Sequence, residues 1–272
     1  MPLNSPEPYL TLREGIRLQA DIAIIGGSGL YDMESMTQIE QVTIDTMYGK
    51  ASAAIGLMEG KRIAFMPRHG IGHTVPPHLV NYRANIAALE QIGVKRILAT
   101  VSVGSLNMDM KPGHLVFLNQ FIDFTKSRPL TFFEGGEAGV VHIDVTHPYC
   151  EQLRELLMDV TGSLNRTVHK DGVYVCTEGP RYETPAEIKM FQILGGDLVG
   201  MTNVPEVVLA REKGICYAAI AVVTNFAAGI SPHPLTHREV LDEMRASHQD
   251  LKELLRRAVQ GIDVKKGCTC FV

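Results

Sequence analysis

The feature that most constrains the fold is an alternation of short apolar runs with longer amphipathic segments along the chain. The apolar runs have the length of strands, as in "ADIAIIGG", "KRILATVSVGS" and "CYAAIAVVTN", whereas "THREVLDEMRASHQDLKELLRRAVQ" has helical spacing. Continuous apolar strands are typical of a sheet that helices cover on both faces. The pattern therefore predicts an α/β fold with a central mixed, mostly parallel sheet flanked by helices.

The domain organisation follows from length and composition. The chain has 272 residues, of which 45% are hydrophobic, and this is enough for one large core. Because no repeat, charge block or linker divides it, we predict a single domain over residues 20–260. Residues 1–19 are expected to form a loose, proline-containing arm, and residues 261–272 a C-terminal tail.

The charge pattern and hydropathy limit the classes of partner. The formal net charge is -4, and lysine and arginine are scattered, so the chain has no electrostatic footprint for nucleic acid or an anionic membrane. No apolar run approaches the roughly 20 residues that span a bilayer, and the first residues do not resemble a secretory signal. We therefore expect a cytoplasmic protein with no nucleic-acid or membrane partner.

The five cysteines fall into two groups. Cys150, Cys176 and Cys216 lie in apolar or helical surroundings, where buried, reduced thiols are usual. Cys268 and Cys270 form a Cys-x-Cys tail, which could bind metal or form a strained disulfide. Because no second Cys or His pair at zinc-site spacing accompanies them, we expect two exposed thiols.

Polar residues and glycines follow several predicted strands, and the first such ending is "AIIGGSGL". Gly26, Gly27 and Gly29 surround Ser28 in a turn whose N–H groups and hydroxyl suit phosphate. A dinucleotide-binding fingerprint would need a glycine where Asp32 stands, which weakens the case for an oxidoreductase. A tight turn without a ligand is the alternative.

A second ending, "MPRHGIGH", presents Arg68 and His69 directly after a strand. The guanidinium offers a planar fork of donors that suits phosphate oxygens, and His69 is a candidate for a further contact. His69 and His73 have a spacing that would suit zinc only on a helix, and the glycines between them argue against one. A surface arginine beside a capping histidine is the structural alternative.

Three further endings carry residues compatible with an anionic ligand. They are Val101 and Ser102, whose backbone amides could bind an anion, then Glu183, and then Met201 with Thr202. Each alone has a structural explanation, as core residue, turn residue or solvated carboxylate. Their recurrence at the ends of strands favours a ligand site, because sites in such sheets cluster there.

The segments "IIGGSGL", "RHG", "EGPRYET", "GMTNVPEVVLARE" and "VVTN", in this order, resemble the trimeric purine nucleoside phosphorylase family, which includes methylthioadenosine phosphorylases. The resemblance covers about residues 20–258. It implies a single-domain nucleoside phosphorylase fold, a homotrimer, and a reversible reaction of a purine nucleoside with orthophosphate to give free base and ribose 1-phosphate. It implies no metal and no organic cofactor, since orthophosphate is a co-substrate.

The resemblance also implies roles for residues of this chain. Phosphate would be bound by Ser28, Arg68, His69, Val101, Ser102 and Thr202. The nucleoside would be bound by Glu183, Met201, Asn225, Phe226, Ala227 and His237. Asn225, Arg68 and His69 would be catalytic, because bond cleavage leaves negative charge on the purine, and an Asn225 N–H at N7 would stabilise it while phosphate attacks the sugar.

The residues at the base separate two branches of this family. Methylthioadenosine phosphorylases carry aspartates at the positions of Asn225 and Ala227, which suit a 6-amino group. A 6-oxopurine offers an acceptor at O6 and a donor at N1, which match the Asn225 amide and the Glu183 carboxylate. We therefore predict a purine salvage enzyme, a pentosyltransferase that cleaves inosine and guanosine.

The 5′ end of the sugar leaves alternatives open. The resemblance places His237 at the 5′-hydroxyl, whereas methylthio enzymes have an apolar residue there. Alternatively, Thr236 caps a helix and His237 is a solvated residue of its first turn. A methylthioinosine or methylthioadenosine phosphorylase is therefore the nearest rival, and a nucleoside-binding or dinucleotide-dependent protein without phosphorolysis is the rival from another class.

The segment "NQFIDFTKSRPLTFFEGG" is expected to help close a neighbouring subunit's sugar pocket. Its four phenylalanines, Phe121, Phe124, Phe132 and Phe133, are many for an irregular loop, and interfaces favour aromatic residues. The alternative is a loop that folds onto its own core.

Overall fold

A computed structural model of the protein describes residues 10–11, 19–27, 35–231, 233–265, 267–268 and 270. In this part of the chain the strands are β1 (Leu10–Thr11), β2 (Ile22–Gly26), β3 (Thr37–Thr46), β4 (Gly49–Met58), β5 (Lys61–Pro67), β6 (Arg96–Ser105), β7 (Leu115–Phe117), β8 (Gln120–Phe124), β9 (Val168–His169), β10 (Val173–Thr177), β11 (Leu198–Gly200) and β12 (Cys216–Phe226). The α-helices are α1 (Tyr82–Gln91), α2 (Glu151–Asp159), α3 (Pro185–Ile193), α4 (Asn203–Glu212) and α5 (His237–Gly261).

One mixed sheet contains these strands, in the order β1-β3-β4-β5-β2-β6-β11-β10-β8. β6 is its branch point, because β2 and β11 pair with successive parts of one edge and β12 pairs with the other edge. β12 in turn pairs with β7, and β7 with β9. Parallel pairs predominate at the centre, and β3, β4 and β5 form an antiparallel meander at one side.

The sheet has an apolar core on each face because its central strands are buried on both sides. Alternate residues of β12 serve the two faces: Ala219 and Val223 join the core under α1 and α4, while Ile220 and Val222 join the core under α2 and α5. The long α5 begins at its cap Thr236, whose hydroxyl accepts a hydrogen bond from the Glu239 N–H at 3.3 Å.

The predicted fold class is confirmed, and the predicted apolar runs become β2, β5, β6, β10 and β12. The long β3–β4 pair was not predicted, and the apolar run "HLVFLNQFID" contains two strands, β7 and β8. The expected N-terminal arm contributes a short strand, β1, beside β3. The boundaries of arm, domain and tail stay a prediction. None of the helices in the described residues is long and apolar enough to cross a membrane.

Two local predictions need correction. The phenylalanine-rich segment is not an irregular loop in its first part, because Phe121 and Phe124 lie in β8. Phe132 is buried, with its ring 5.1 Å from that of Tyr48. The thiols of the tail are not exposed either, because they pack against the core under α2 and α5. All five cysteines are free, and the three expected to be buried are so.

Candidate active site

A cavity of about 370 Å³ opens where the ends of β5, β6, β11 and β12 meet. Its walls come from segments that are far apart in the sequence. They include His69, His73, Ser102, Gly104, Tyr182, Glu183, Gly200, Met201, Asn225, Ala227, Leu235 and His237. The sequence-predicted residues His69, Ser102, Glu183, Met201, Asn225, Ala227 and His237 are thus brought together at one cavity.

Sheet geometry explains how these ends meet. β12 runs parallel to β6, but β11 pairs antiparallel with the last part of β6, where Leu198 lies opposite Ser105. The expectation that all endings would share one carboxyl edge therefore holds for β5, β6 and β12. β6 extends past the level at which β2 ends, and β11 pairs with this last part of β6. Because β11 is antiparallel to β6, it reaches the cavity from the opposite direction.

Asn225 is turned toward the cavity by an irregularity in β12. The register with β6 shifts between Val223 and Asn225, so that Asn225 lies opposite Gly104. Bulges of this kind re-aim a side chain next to functional sites. Gly104 leaves room for this side chain, because a Cβ at position 104 would lie 3.4 Å from Asn225 Nδ2 and 3.3 Å from the Val199 side chain.

The orientation of the Asn225 amide is fixed by its neighbours. Nδ2 donates to the Phe226 carbonyl at 2.9 Å, and this carbonyl can only accept. Oδ1 therefore faces the Thr224 hydroxyl, 2.8 Å away. Because Nδ2 has a second N–H and Oδ1 a second lone pair, the amide can offer both a donor and an acceptor to a ligand.

Glu183 brings a carboxylate to the same cavity. It lies in the loop between β10 and α3 and is 9% exposed, and its Oε1 accepts a hydrogen bond from the Thr177 hydroxyl at 2.7 Å. Burial raises the pKa of the Glu183 carboxyl, and the Thr177 bond counteracts part of this rise. The carboxylate retains lone pairs for a donor on a ligand.

Arg68 does not line the cavity but lies beneath its wall, and its side chain is 0% exposed. Nε and Nη2 each donate to the Glu206 carboxylate at 2.7 Å, and Nη1 donates to the Thr100 carbonyl at 2.9 Å. Burial alone would lower the pKa of Arg68, but the adjoining Glu206 carboxylate raises it. The guanidinium carries more N–H groups than these three bonds use.

Glu206 is a residue that the sequence reasoning missed. It is 0% exposed, and its Oε1 also accepts a hydrogen bond from the Tyr217 hydroxyl at 2.6 Å. The Asn203 amide donates to the same hydroxyl at 3.1 Å and also contacts Tyr149. The only signal in the sequence was an acidic residue in the first turn of a helix, which a favourable helix-terminus charge explains equally well.

His69 is neutral and has a defined tautomer. Burial and the neighbouring Arg68 cation lower its pKa to about 3. Its Nδ1 lies 2.8 Å from the Val75 carbonyl, which can only accept, so Nδ1 carries the proton. Nε2 is consequently an acceptor, and not the additional donor that the sequence suggested.

Two further histidines, His73 and His237, line the cavity next to His69. The ring centroid of His73 is 4.3 Å from that of His69 and 6.1 Å from that of His237, the first residue of α5. Burial, with a smaller contribution from His237, lowers the pKa of His73. His73 has a φ of 57°, an uncommon conformation for a residue other than glycine and one that clusters at functional sites. The sequence reasoning considered His73 only as a zinc ligand and missed its place in the cavity.

Gly27, which follows β2, lies against Arg68 and β6. The Gly27 N–H donates to the Thr100 hydroxyl at 3.2 Å. A Cβ at Gly27 would lie 3.0 Å from the Thr100 carbonyl oxygen and 3.1 Å from Arg68 Nη1, so only glycine fits comfortably. Ser28, which was predicted to bind phosphate, lies outside the described residues.

The remaining predicted residues take different positions. Met201 lies on the cavity wall, and its sulfur is 2.6 Å from where a Cβ of Gly179 would be, so the side chain rests on this glycine. Thr202 is 8% exposed, and its N–H donates to the Tyr174 hydroxyl at 3.1 Å. Val101, Thr202 and Phe226 do not themselves line the cavity, and their roles stay predictions.

Fold and cavity together define an α/β protein with a polar cavity at the ends of its strands. A family model described as "Phosphorylase superfamily" matches residues 21–260, and the chain belongs to this superfamily. The predicted family resemblance is thereby confirmed.

Relatives share the fold along most of their length. A protein of Moorella thermoacetica named "Probable 6-oxopurine nucleoside phosphorylase" is 56% identical over 249 residues, which cover 92% of this chain and 96% of that protein. A "Probable S-methyl-5'-thioinosine phosphorylase" of Methanothermobacter thermautotrophicus is 47% identical, with 92% and 87% covered. A solved methylthioadenosine phosphorylase from an antarctic soil metagenomic library has a TM-score of 0.87 and 36% identity, covering 93% of this chain and 90% of its own.

We expect Glu206→Leu to lower the free energy of unfolding by about 3 to 5 kcal/mol, because it leaves the Arg68 cation buried without its partner. The double variant Arg68→Met/Glu206→Leu should recover much of this loss, since it removes both charges. Urea denaturation of both variants measures the difference. Asp242→Ala is the control, because the Arg245–Asp242 pair is exposed and should contribute less than about 1 kcal/mol. Equal destabilisation by the Glu206 and Asp242 substitutions would contradict the importance of the buried pair.

Proposed function

We propose that this enzyme, a nucleoside phosphorylase and therefore a pentosyltransferase, catalyses the reversible phosphorolysis of 6-oxopurine nucleosides such as inosine and guanosine. The products are the free base and ribose 1-phosphate. The observation that carries the proposal is that the Glu183 carboxylate and the oriented Asn225 amide line one cavity. The names of two similar proteins, each a "Probable 6-oxopurine nucleoside phosphorylase", support the same substrate class.

At the base, two residues complement a 6-oxopurine. Glu183 accepts a hydrogen bond from N1–H, a donor that adenine lacks. Asn225 donates its second N–H to N7, since the first is donated to the Phe226 carbonyl. As the glycosidic bond breaks, electrons flow into the purine ring, and the N7 bond strengthens because N7 gains negative charge. Asn225 therefore stabilises the leaving base.

The proposed phosphate site combines N–H donors with a neutral histidine. Arg68 supplies its remaining N–H groups, and the loop at Gly27 and Ser28 supplies backbone and hydroxyl donors. The Val101–Ser102 backbone and Thr202 complete the set that the family resemblance implies. His69 Nε2 accepts a hydrogen bond from the hydroxyl of hydrogen phosphate or of the ribose, since its own proton is held on Nδ1.

In the proposed complex, Met201 lies beneath the ribose. The row of His69, His73 and His237 lines the cavity toward the 5′ end of the sugar. A hydroxyl at the 5′ position can donate to or accept from an imidazole, whereas a methylthio group has no donor and its sulfur is only a weak acceptor. We therefore favour ordinary nucleosides. Methylthioinosine phosphorylase is the second candidate, because it shares the 6-oxo base and a relative carries that name.

We further propose a homotrimer, which the family resemblance implies. The exposed apolar side chains Leu130, Val140 and Val141 lie in the segment after β8, and a neighbouring subunit would cover them. The mass of a single subunit in light scattering of the active enzyme would contradict this assembly. A cytoplasmic location stays a prediction from the sequence.

The proposed function is tested by incubating the enzyme with inosine, guanosine, adenosine, methylthioadenosine and methylthioinosine, with and without phosphate. We expect inosine and guanosine to be cleaved, and only when phosphate is present. Binding of nucleosides without phosphate-dependent turnover would favour a binding protein, and a preference for the 6-amino substrates would contradict the assignment of the base. Activity of the Arg68→Met/Glu206→Leu variant at an unchanged phosphate KM would remove Arg68 from the phosphate site.

We expect Asn225→Asp to lower kcat/KM for inosine by about 10-fold or more, a loss on the order of the 1 to 3 kcal/mol of one buried unsatisfied polar group. An ionised carboxylate has no donor for N7, and it faces both O6 and the Phe226 carbonyl. Cleavage of adenosine should fall less or rise, because a protonated aspartate can donate to N7 and accept from the 6-amino group. Glu183 still opposes the adenine N1, so the switch of preference should be incomplete.

The control for this substitution is Asn119→Asp, which adds the same charge away from the cavity. Asn119 Oδ1 accepts a hydrogen bond from the Gly172 N–H at 3.1 Å, and aspartate preserves this bond. We expect the control to retain the original ratio of inosine to adenosine cleavage. If Asn225→Asp also keeps that ratio and only lowers the melting temperature, Asn225 is a structural residue at the end of the strand.

His237→Ala separates the two candidates for the 5′ group. Loss of a bond to the 5′-hydroxyl should lower kcat/KM for inosine about 3- to 10-fold, as expected for a hydrogen bond of about 0.5 to 1.5 kcal/mol, while methylthioinosine is affected less than about 2-fold. The neighbouring Arg238, whose side chain is 89% exposed, provides the control Arg238→Ala. Equal losses on both substrates would place the methylthio activity ahead of the proposed one.

A further inference from the structure

Four of the five cysteines bring their sulfur atoms together, although they come from three distant segments. Cys150 immediately precedes α2, Cys216 begins β12, and Cys268 and Cys270 lie beyond α5. All four sulfurs lie within 4.8 Å of one another. The Sγ of Cys268 is 3.4 Å from that of Cys150 and 2.9 Å from that of Cys270. The four thiols thus form one cluster.

This donor set matches one kind of metal site. Four cysteine sulfurs in a tetrahedron form a closed structural site for Zn²⁺, with Zn–S distances of about 2.3 Å and therefore sulfurs about 3.8 Å apart. The observed separations, between 2.9 Å and 4.8 Å, bracket this value. Soft thiolate ligands also select zinc over hard cations such as magnesium. A disulfide would join the sulfurs in pairs and would not require all four to converge.

The surroundings of the sulfurs suit a site with excess negative charge. Arg96 Nη1 donates to Cys216 Sγ at 3.3 Å, and the Cys270 N–H points at Cys268 Sγ, 3.4 Å away. Such outer contacts orient thiolate ligands and offset the charge that four of them carry around a divalent ion. Cys150 and Cys216 are each 1% exposed, and the two tail cysteines pack against the same apolar core.

We propose that Cys150, Cys216, Cys268 and Cys270 bind one structural Zn²⁺ ion that fastens the C-terminal tail to α2 and the sheet. The ion would be remote from the active site, because Cys216 and Asn225 lie at opposite ends of β12, about 30 Å apart at the rise of an extended strand. With four protein ligands it has no open position for a substrate. Its role is therefore stability, and not catalysis.

The proposal is tested on the full-length chain, purified under reducing conditions, treated with a chelator, supplied with ZnCl₂ and desalted. We expect about one Zn²⁺ per chain by elemental mass spectrometry for the wild type, and at least about a tenfold lower content for Cys268→Ser/Cys270→Ser. Cys176→Ser is the matched control, because Cys176 lies in β10 with its sulfur 3.5 Å from the Val204 carbonyl, apart from the cluster. This variant should retain zinc at the wild-type level.

Two further measurements make the outcome independent of how the tail variant folds. Co²⁺ added to the wild type should give the charge-transfer absorption of tetrahedral thiolate coordination. ZnCl₂ should raise the melting temperature of the wild type and of Cys176→Ser, and leave that of the tail variant unchanged. Equal zinc content in all three proteins, a wild type without zinc, or an intact mass that shows two disulfides after reducing purification would overturn the proposal.

Discussion

The buried ion pair of Arg68 and Glu206 joins the elements that form the cavity. Arg68 follows β5, its Nη1 is bonded to Thr100 in β6, and Glu206 lies in α4 and accepts a further bond from Tyr217 in β12. A buried pair offsets its desolvation only if its geometry is excellent and its remaining donors and acceptors are satisfied. Three strands and a helix must therefore keep their relative positions, since any displacement leaves a charge unpaired in an apolar interior.

This pair also determines the electrostatics of the site. Because Glu206 neutralises Arg68, net charge contributes little to the proposed binding of phosphate, which then depends on hydrogen bonds from N–H groups. The cation still acts at short range, since together with burial it keeps His69 neutral. A neutral His69 with its proton on Nδ1 leaves Nε2 as an acceptor. The site thus offers an acceptor at Nε2, as the hydroxyl of hydrogen phosphate in the proposed reaction requires.

The structural features that depend on a local sequence pattern could be predicted from the sequence. The apolar strands and the polar residues directly after them, such as His69 and Asn225, follow from hydrophobic runs and their endings. Glu206 was missed because its acidic side chain looks like an ordinary helix-terminus charge until the fold places Arg68 beside it. The cysteine cluster was missed because spacing reveals only ligands that are near in sequence, whereas Cys150 and Cys216 are 66 residues apart.

β12 and α5 connect the two ends of the molecule. β12 runs from Cys216 to the cavity, and α5 returns from His237 to Gly261 over roughly the same distance, about 37 Å at the helical rise. The far end of α5 is held by Lys61, whose Nζ donates to the carbonyls of Val259, Gln260 and Ile262 at 2.7, 2.8 and 2.6 Å. A tail fixed to Cys216 would close this loop. The first turn of α5 carries His237, so its position at the cavity depends on contacts made at the opposite end of the sheet.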